Sequence, residues 1–251
     1  MGLRKKLKKF LYVAKFKKKN LSININNKNI LITGANSGIG FALTKRLLSL
    51  NNIIVSTYRK DSTKLESIID KNLTRIKCDH SNIVEFQNLE KKLKEFSIDI
   101  VINCAGIFGP SFEEQQIENI DLKKFQESIM INSLAIIKII QLILKNKPPI
   151  MLINVSSDAG SISNNNQGNA YIYRTSKSAL NSITKNMSID LYNRFNTIVF
   201  AVDPGNVESG MNPGGHIKAD HCANLIIDLA SKNLENLNGK FLNLLGHEIS
   251  W

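Results

Sequence analysis

Short apolar runs alternate along the chain with segments in which apolar residues recur every three or four positions. Continuous apolar runs are typical of buried strands, and the wider spacing is typical of amphipathic helices. The pattern predicts strands at residues 29–33, 53–58, 73–78, 98–105, 150–155, 197–202 and 240–245. It predicts helices at residues 38–50, 61–71, 83–96, 122–145, 171–195 and 219–231.

The order of these elements predicts the fold class. A strand that is apolar on both faces has to be covered by helices on both sides, so the alternation favours a parallel sheet. Right-handed crossovers then give a doubly wound α/β fold with about seven strands in a single domain. Ligands of such sheets bind beyond the carboxyl ends of the strands, so we expect the chemistry there.

Charge is distributed unevenly along the chain. The 251 residues have a net charge of +12, and residues 1–20 hold nine of the basic residues and none of the acidic ones. The remaining 231 residues therefore have a net charge of only +3. We divide the chain into an N-terminal extension, residues 1–25, and a folded domain, residues 26–251. The domain gives no electrostatic case for nucleic acid as a partner.

The extension has two equal interpretations. Apolar residues recur at helical spacing among the lysines of residues 3–16. A basic amphipathic helix of this kind fits an anionic membrane surface, which residues 3–19 would contact. A disordered, solvated extension fits as well, because a short isolated helix is marginal in water. No run of roughly 18 apolar residues predicts a transmembrane helix elsewhere.

The cysteines and histidines do not predict a disulfide framework or a metal site. Cys78 and Cys104 lie far from each other and from Cys222, with no C-x-x-C pair, as expected of free thiols in a cytoplasmic protein. His216 and His221 lie near Cys222, but their spacing matches no zinc pattern, so we expect no metal.

A glycine-rich turn follows the first predicted strand and opens a helix. Glycines allow the backbone to approach a pyrophosphate closely, and free N–H groups at the start of a helix favour a negative charge. Because the turn joins a strand to a helix, it predicts dinucleotide binding; the alternative is a purely structural turn. The candidate cofactor contacts are Gly34, Asn36, Ser37, Gly38, Ile39 and Gly40.

Small and polar residues also end the later strands. These strand ends are Asn103-Cys104-Ala105-Gly106, Asn154-Val155-Ser156-Ser157 and Asp203-Pro204-Gly205. Tyr173 and Lys177 are four residues apart on a predicted helix, which places them on one face. This spacing alone is weak evidence for a catalytic pair. The pair becomes a candidate because of the motifs around it.

Taken together, these motifs resemble the plain, short form of the short-chain dehydrogenase/reductase family over about residues 29–251. Residues 160–181 and the C-terminal Gly-His-Glu-Ile-Ser-Trp are most similar to its C-factor and sniffer-type carbonyl reductase branch. The resemblance implies a Rossmann-like fold and an NAD(P)-dependent oxidoreductase acting on a carbonyl or alcohol. The implied catalytic group is Asn132, Ser157, Tyr173 and Lys177. Further implied cofactor contacts are Arg59, Asp79, Asn103, Ala105, Gly106, Tyr173, Lys177, Pro204, Gly205 and Val207.

The resemblance also implies roles for the catalytic group. Tyr173 would be the general acid in carbonyl reduction and the general base in alcohol oxidation. We expect the positive charges of Lys177 and of the oxidised nicotinamide to favour the phenolate and lower the pKa of Tyr173. Ser157 would hydrogen-bond the substrate oxygen, and we prefer it to Ser156 because the family's serine lies three residues before the glycine that here is Gly160.

The cofactor, the assembly and the substrate are predicted with different degrees of detail. Arg59 follows the second strand, with no acidic residue before Asp61, which favours NADP over NAD. The resemblance further implies that the helices at 122–145 and 171–195 form the interface of a homodimer or homotetramer. Residues 206–210 depart from the branch pattern, so the small-molecule carbonyl or alcohol substrate is not identified. A catalytically quiet cofactor-binding regulatory protein is the alternative function.

Overall fold

The computed structural model describes residues 24–60, 63–232 and 236–251. The candidate amphipathic helix of the extension, residues 3–16, lies outside the described residues. Ile25 is only 5% exposed and packs in the hydrophobic core. The folded domain therefore includes this residue, which the sequence analysis assigned to the extension.

Seven strands form one sheet in the order β3-β2-β1-β4-β5-β6-β7, and all neighbouring strands are parallel. The strands are β1 Asn29–Thr33, β2 Ile53–Tyr58, β3 Leu73–Lys77, β4 Ile100–Asn103, β5 Met151–Val155, β6 Ile198–Asp203 and β7 Phe241–Asn243. The strand order reverses between β1 and β4, which defines the switch point of a doubly wound sheet. The predicted fold class and single domain are confirmed.

Helices cover both faces of the sheet. They are α1 Gly38–Leu48, α2 Thr63–Glu66, α3 Phe86–Leu93, α4 Leu122–Ile143, α5 Tyr171–Phe195 and α6 Ala219–Ala230. Helices α1 and α6 pack in one apolar cluster, and α3, α4 and α5 pack in another on the opposite face. A π-helical turn, Met130–Leu134, interrupts α4.

Two predicted elements are shorter in the structure. Of the helix predicted at 61–71, the described residues form only α2, and the Arg75 guanidinium bonds to carbonyl oxygens at its end and beyond it. Its Nε donates to the Leu65 carbonyl at 3.0 Å, and its Nη2 donates to the Ile68 carbonyl. The strand predicted at 98–105 ends as β4 at Asn103, so Cys104 and the residues after it leave the sheet at its ligand-binding edge.

Helix α4 is long and apolar enough, by length and composition, to span a membrane, and it is the one such helix among the described residues. In its most apolar window, 56% is buried inside the protein. The core helix of a globular domain passes the same test, and α4 packs on the sheet as such a helix does.

Candidate active site

A cavity of about 390 Å³ opens at the carboxyl edge of the sheet, beside the point where the strand order reverses. The predicted site residues that line it are Gly34, Asn36, Ser37, Gly38, Ile39, Gly40, Arg59, Asp79, Ala105, Gly106, Tyr173, Lys177 and Pro204. Other predicted site residues lie behind its wall or beside it: Asn103, Asn132, Ser157, Gly205 and Val207.

The glycine-rich turn forms one end of the cavity. Gly34 has φ +65°, and a Cβ there would lie 2.8 Å from the Ala105 Cα, so the turn packs directly against the end of β4. A Cβ on Gly40 would lie 2.3 Å from the Gly34 carbonyl oxygen. These two glycines are therefore required by the packing of the turn on itself and on its neighbour strand.

The start of α1 is suited to an anionic group. Ser37 is the N-cap residue, and in the described part of the chain its side chain does not cap the helix. The first turn of α1, which is fully described, has no acidic side chain. The amide groups of this turn are thus left for a ligand, and their chemistry fits the pyrophosphate of a dinucleotide.

Charged residues form the opposite end of the cavity. Arg59 and Lys60 line it where β2 ends, and Asp79 lines it beyond β3. The Asp79 carboxylate accepts hydrogen bonds from the Ser81 N–H at 2.9 Å and the Ser81 hydroxyl at 2.8 Å. Burial acts to raise the pKa of Asp79, but these bonds and the Arg59 charge outweigh it and lower the pKa. Asp79 is therefore ionised at neutral pH.

His80 borders the same end of the cavity and was missed by the sequence analysis. It is 4% exposed, its ring stacks on that of Phe86 at 5.7 Å, and neither ring nitrogen has a hydrogen-bond partner among the described residues. Burial lowers the pKa of His80 to about 4, so its imidazole is neutral. No local sequence signal marks this burial, which depends on packing from α3.

Tyr173 and Lys177 lie in the first two turns of α5 and face the cavity. The Lys177 Nζ lies 5.8 Å from the centroid of the Tyr173 ring and donates to the Val155 carbonyl at 3.0 Å. Lys177 is 5% exposed, and this burial lowers its pKa to about 8. Its ammonium is charged at neutral pH but loses its proton more readily than an exposed lysine does.

Tyr173 has a raised pKa. Burial raises it to about 12, the hydrogen bond with Ser157 acts to lower it, and the charges of Asp203 and Asp158 raise it further. The charge of Lys177 is not among the effects that shift this pKa, so the expected lowering is not seen in the protein without its cofactor. Burial dominates, because the phenolate would have to form out of water.

The two serines that follow β5 have different surroundings. Ser156 is 2% exposed, and its hydroxyl donates to the Asn181 amide oxygen at 2.6 Å. Ser157 is partly buried and lies near enough to Tyr173 to act on the pKa of its hydroxyl. The Ser157 hydroxyl accepts from the Ala159 N–H at 3.2 Å and donates to Asp158 at 3.1 Å. Ser156 lines the cavity, but its hydroxyl is bound to Asn181, so Ser157 is the serine that acts on the tyrosine hydroxyl.

Asn132 lies in the π-helical turn of α4 and holds the segment that follows β4. Its amide oxygen accepts from the Ile107 N–H at 2.8 Å, and its Nδ2 donates to the Ile107 carbonyl at 2.9 Å. The same Nδ2 donates to the Ser176 hydroxyl at 2.8 Å. Asn132 therefore joins α4 and α5 to the edge of the cavity, and π-helical turns are often found at functional sites.

Asn103 belongs to a row of buried polar side chains behind the cavity. The Thr33 hydroxyl donates to its amide oxygen at 2.9 Å, and its Nδ2 donates to the Asn154 amide oxygen at 3.0 Å. The Asn154 Nδ2 donates in turn to the Thr184 hydroxyl at 2.9 Å. The Asn103 side chain thus links β1, β4 and β5 rather than facing the cavity.

The segment after β6 lines the cavity at Pro204, as predicted, and at three further positions that were not predicted. Val207 is 5% exposed and packs in the core, because Glu208 N–H donates to the Ile217 carbonyl at 2.8 Å and folds the segment back. Besides Pro204, the residues of this segment that reach the cavity are Ser209, Gly210 and Met211. Sequence reasoning assigned Val207 by resemblance and had no signal for this fold-back.

Comparison with known proteins agrees with this geometry. The short chain dehydrogenase family profile matches residues 28–216. The carbonyl reductase Sniffer of D. melanogaster is 28% identical and superposes with a TM-score of 0.82, covering 90% of this chain and 100% of that one. The NADPH-bound carbonyl reductase from chicken fatty liver is 27% identical with a TM-score of 0.77, at the same coverage of both chains.

A sequence relative is the 3-oxoacyl-acyl-carrier-protein reductase of Rickettsia prowazekii. It is 32% identical over 195 residues, which cover 75% of this chain and 76% of that protein. The family match, the sheet order and the placement of Tyr173 and Lys177 beside the glycine-rich turn agree with one another. The chain belongs to the short-chain dehydrogenase/reductase family and is an NAD(P)-dependent oxidoreductase.

Proposed function

We propose that the protein is an NADP-dependent carbonyl reductase that can also run as an alcohol dehydrogenase, with Tyr173 as its general acid and base. The observation that carries this proposal is the placement of Tyr173 between Ser157 and Lys177 at the cavity that the glycine-rich turn opens. A proton donor, a hydrogen-bond donor for the substrate oxygen and an ammonium group then meet at one position.

The bound dinucleotide supplies or accepts the hydride, and the chain supplies the proton. In carbonyl reduction the Tyr173 hydroxyl gives its proton to the substrate oxygen. Ser157 donates a hydrogen bond to that oxygen as negative charge develops on it. Lys177, anchored at the Val155 carbonyl, binds the nicotinamide ribose and holds a positive charge near the phenol. A pKa of about 12 keeps Tyr173 protonated, which suits the reductive direction.

NADP is preferred to NAD in this proposal. Arg59 and Lys60 both line the cavity at the end of β2, where an NAD enzyme of this fold has an acidic residue for the ribose hydroxyls. Two cations at this position fit the 2′-phosphate of NADP. The carbonyl reductase from chicken fatty liver, which is similar to this chain, binds NADPH, and this supports the preference.

The substrate side of Tyr173 is apolar and aromatic. The Phe108 ring lies 5.0 Å from that of Tyr173, and the Phe112 ring lies 5.9 Å from that of Phe108. Phe112 is 56% exposed, and Met211, which lines the cavity, is 50% exposed. An apolar group next to the carbonyl would cover these side chains. We therefore propose an uncharged, apolar carbonyl compound as the substrate.

The assembly and location of the protein are also proposals. Helices α4 and α5 carry exposed apolar residues, Leu134 and Ile189, which support a homodimer or homotetramer. We place the protein in the cytoplasm. The basic extension, which lies outside the described residues, would bring it to an anionic membrane surface.

A turnover screen tests the function. Oxidation of NADPH is followed at 340 nm with aliphatic ketones, aryl ketones, aldehydes and quinones, and repeated with NADH. The proposal expects turnover with NADPH and an apolar carbonyl, and loss of turnover in Tyr173→Phe. If NADPH binds but every carbonyl is left unreduced, the catalytically quiet regulatory protein becomes the better interpretation.

A further inference from the structure

The first turn of α5, which carries Tyr173, lacks a cap from its own sequence. The N-cap residue is Ala170, whose side chain has no hydrogen-bonding group, and both Asn169 and Ala170 have positive φ values of 57° and 47°. The first backbone hydrogen bond within the helix is donated by the Arg174 N–H to Ala170. The N–H groups before it, including that of Tyr173, need acceptors from elsewhere.

Gln115 supplies the acceptor for Tyr173. Its amide oxygen accepts from the Tyr173 N–H at 2.8 Å, although the two residues are 58 positions apart. Gln115 is completely buried, with 0% of its surface exposed. A buried glutamine that satisfies the open N–H of a helix acts as a cap from outside the helix.

The other end of the same side chain holds the segment that follows β4. Gln115 Nε2 donates to the Phe108 carbonyl at 3.1 Å and to the Pro110 carbonyl at 3.0 Å. Both amide hydrogens and the amide oxygen are therefore used. This segment also carries Phe108, whose ring contacts the ring of Tyr173 at 5.0 Å.

Tyr173 is thus fixed at two points by one segment. Its backbone N–H is held by Gln115, and its ring is packed against Phe108. The hydroxyl at the far end of the ring lies near enough to Ser157 for that serine to act on its pKa. A shift of the first turn of α5 would move this hydroxyl relative to Ser157 and to Lys177, whose Nζ is tied to β5.

We propose that Gln115 is a positioning residue for the reaction. It couples the substrate-side segment, residues 107–115, to the Tyr173 hydroxyl by capping the catalytic helix from outside. This inference rests on the proposed function, in which Tyr173 transfers the proton. Gln115 itself contacts neither the cavity nor the reacting atoms, so its effect on turnover passes through Tyr173.

The test compares two near-isosteric variants with a matched control. Gln115→Met removes both the acceptor and the donors, and Gln115→Glu keeps the acceptor. Gln116→Met is the control, because Gln116 is the exposed neighbour in the same segment. The turnover number is calculated from the concentration of folded enzyme and measured well below the unfolding temperature of each variant. A variant that is merely less stable is then not mistaken for one with slower catalysis.

We expect Gln115→Met to lower kcat by about 10- to 100-fold, because a misplacement of about 1 Å at a reacting group costs up to this much. Its affinity for NADPH, measured by fluorescence titration, should stay close to that of the wild type, since Gln115 does not line the cavity. Gln116→Met should behave as the wild type. A kcat in Gln115→Met equal to that of the control overturns the proposal.

Gln115→Glu adds a pH signature that a merely structural role would not produce. While the introduced carboxyl is neutral, it accepts from the Tyr173 N–H and donates to one carbonyl, so most of kcat should be retained. Once it ionises, it faces the Phe108 and Pro110 carbonyls without a proton, so kcat should fall as the pH rises. A pH profile identical to that of the wild type contradicts the proposal.

A readout independent of turnover separates this inference from the proposed function. The chain has five tyrosines, so the ring signal of Tyr173 can be assigned in ¹³C-tyrosine-labelled protein by comparison with Tyr173→Phe. We expect this signal to shift in Gln115→Met and to stay in place in Gln116→Met. If the wild type reduces no carbonyl, the proposed function fails; if the signal does not shift, the positioning role fails.

Discussion

The Lys177 ammonium donates a hydrogen bond to the Val155 carbonyl oxygen at 3.0 Å, which ties α5 to the end of β5. Because Lys177 is 5% exposed, this bond is made out of water, and the cost of burying the charge lowers the pKa to about 8. The protonation state of Lys177 therefore changes within the pH range in which the enzyme can be assayed.

The affinity for NADPH should fall as the pH rises through about 8, because the ammonium of Lys177 loses its proton there. Fluorescence titration from about pH 6.5 to pH 9.5 measures this loss, with the pKa of Tyr173 too high to contribute. Tyr173→Phe should keep the pH dependence and Lys177→Met should abolish it. A pH dependence that persists in Lys177→Met would show that another group titrates.

The same shift has the opposite effect on folding. An unfolded lysine titrates near 10.5, so between about pH 8 and this value the unfolded chain binds the extra proton. The contribution of Lys177 to stability therefore increases as the pH rises through this window. Denaturant unfolding at pH 8 and pH 10 should show a smaller gain in Lys177→Met than in the wild type.

Tyr173→Phe should abolish most turnover and leave the affinity for NADPH unchanged. The substitution keeps the ring that packs against Phe108 and removes only the proton donor. We expect a loss of about 10²- to 10⁴-fold in kcat. Tyr171→Phe is the matched control, because Tyr171 lies in the same turn and is 43% exposed. Near-normal turnover in Tyr173→Phe on a confirmed substrate would overturn the mechanism.

The two serines after β5 should respond differently to substitution. Ser157→Ala removes the hydroxyl next to Tyr173 that would donate to the substrate oxygen, so kcat should fall by about 10²- to 10³-fold. Ser156→Ala removes a buried bond to Asn181, so it should lower the unfolding temperature with a smaller effect on kcat. Steady-state kinetics and thermal unfolding are measured for both variants. A larger loss of kcat in Ser156→Ala than in Ser157→Ala would assign the catalytic role to Ser156.

Arg59→Asp should reverse or erase the preference for NADPH over NADH. A charged hydrogen bond to the 2′-phosphate is worth about 1.5–3 kcal/mol, which corresponds to a loss of about 10- to 100-fold in NADPH affinity. Lys64→Asp makes the same change of charge at an exposed residue of α2 and should leave both affinities as they are. Equal affinities of the wild type for the two cofactors would refute the assignment.

Light scattering at micromolar concentration should give at least the mass of a dimer. Ile189 is 54% exposed on α5, and Ile189→Lys should shift the protein toward the monomer if this helix forms the interface. Ile69→Lys is the control, because Ile69 is 99% exposed and lies outside α4 and α5. A monomeric wild type would contradict the proposed assembly.

The sequence was informative where local chemistry decides the structure. A Cβ on Gly40 would meet the Gly34 carbonyl of the same turn, so the glycine spacing predicted the turn, whereas the packing of Gly34 on Ala105 at the end of β4 is a contact between distant residues. The four-residue spacing of Tyr173 and Lys177 predicted that they share one face of a helix, while their catalytic roles came from the family resemblance.

Features that depend on distant packing could not be predicted. Gln115 meets Tyr173 only because the segment after β4 folds over α5, and no spacing in the sequence marks this contact. Met211 reaches the cavity because residues 206–217 fold back on themselves. The raised pKa of Tyr173 is a third case, because it depends on how much of the ring other elements bury.

The buried polar row behind the cavity has a further consequence. From Thr33 through Asn103 and Asn154 to Thr184, every side chain donates in the same direction, and the Thr184 hydroxyl ends the row at the Leu180 carbonyl. No single amide in this row can rotate by 180° without setting two donors or two acceptors against each other. The row crosses the three central strands and ends on α5, so a substitution that removes one of its amides leaves buried donors or acceptors without partners on both neighbouring elements.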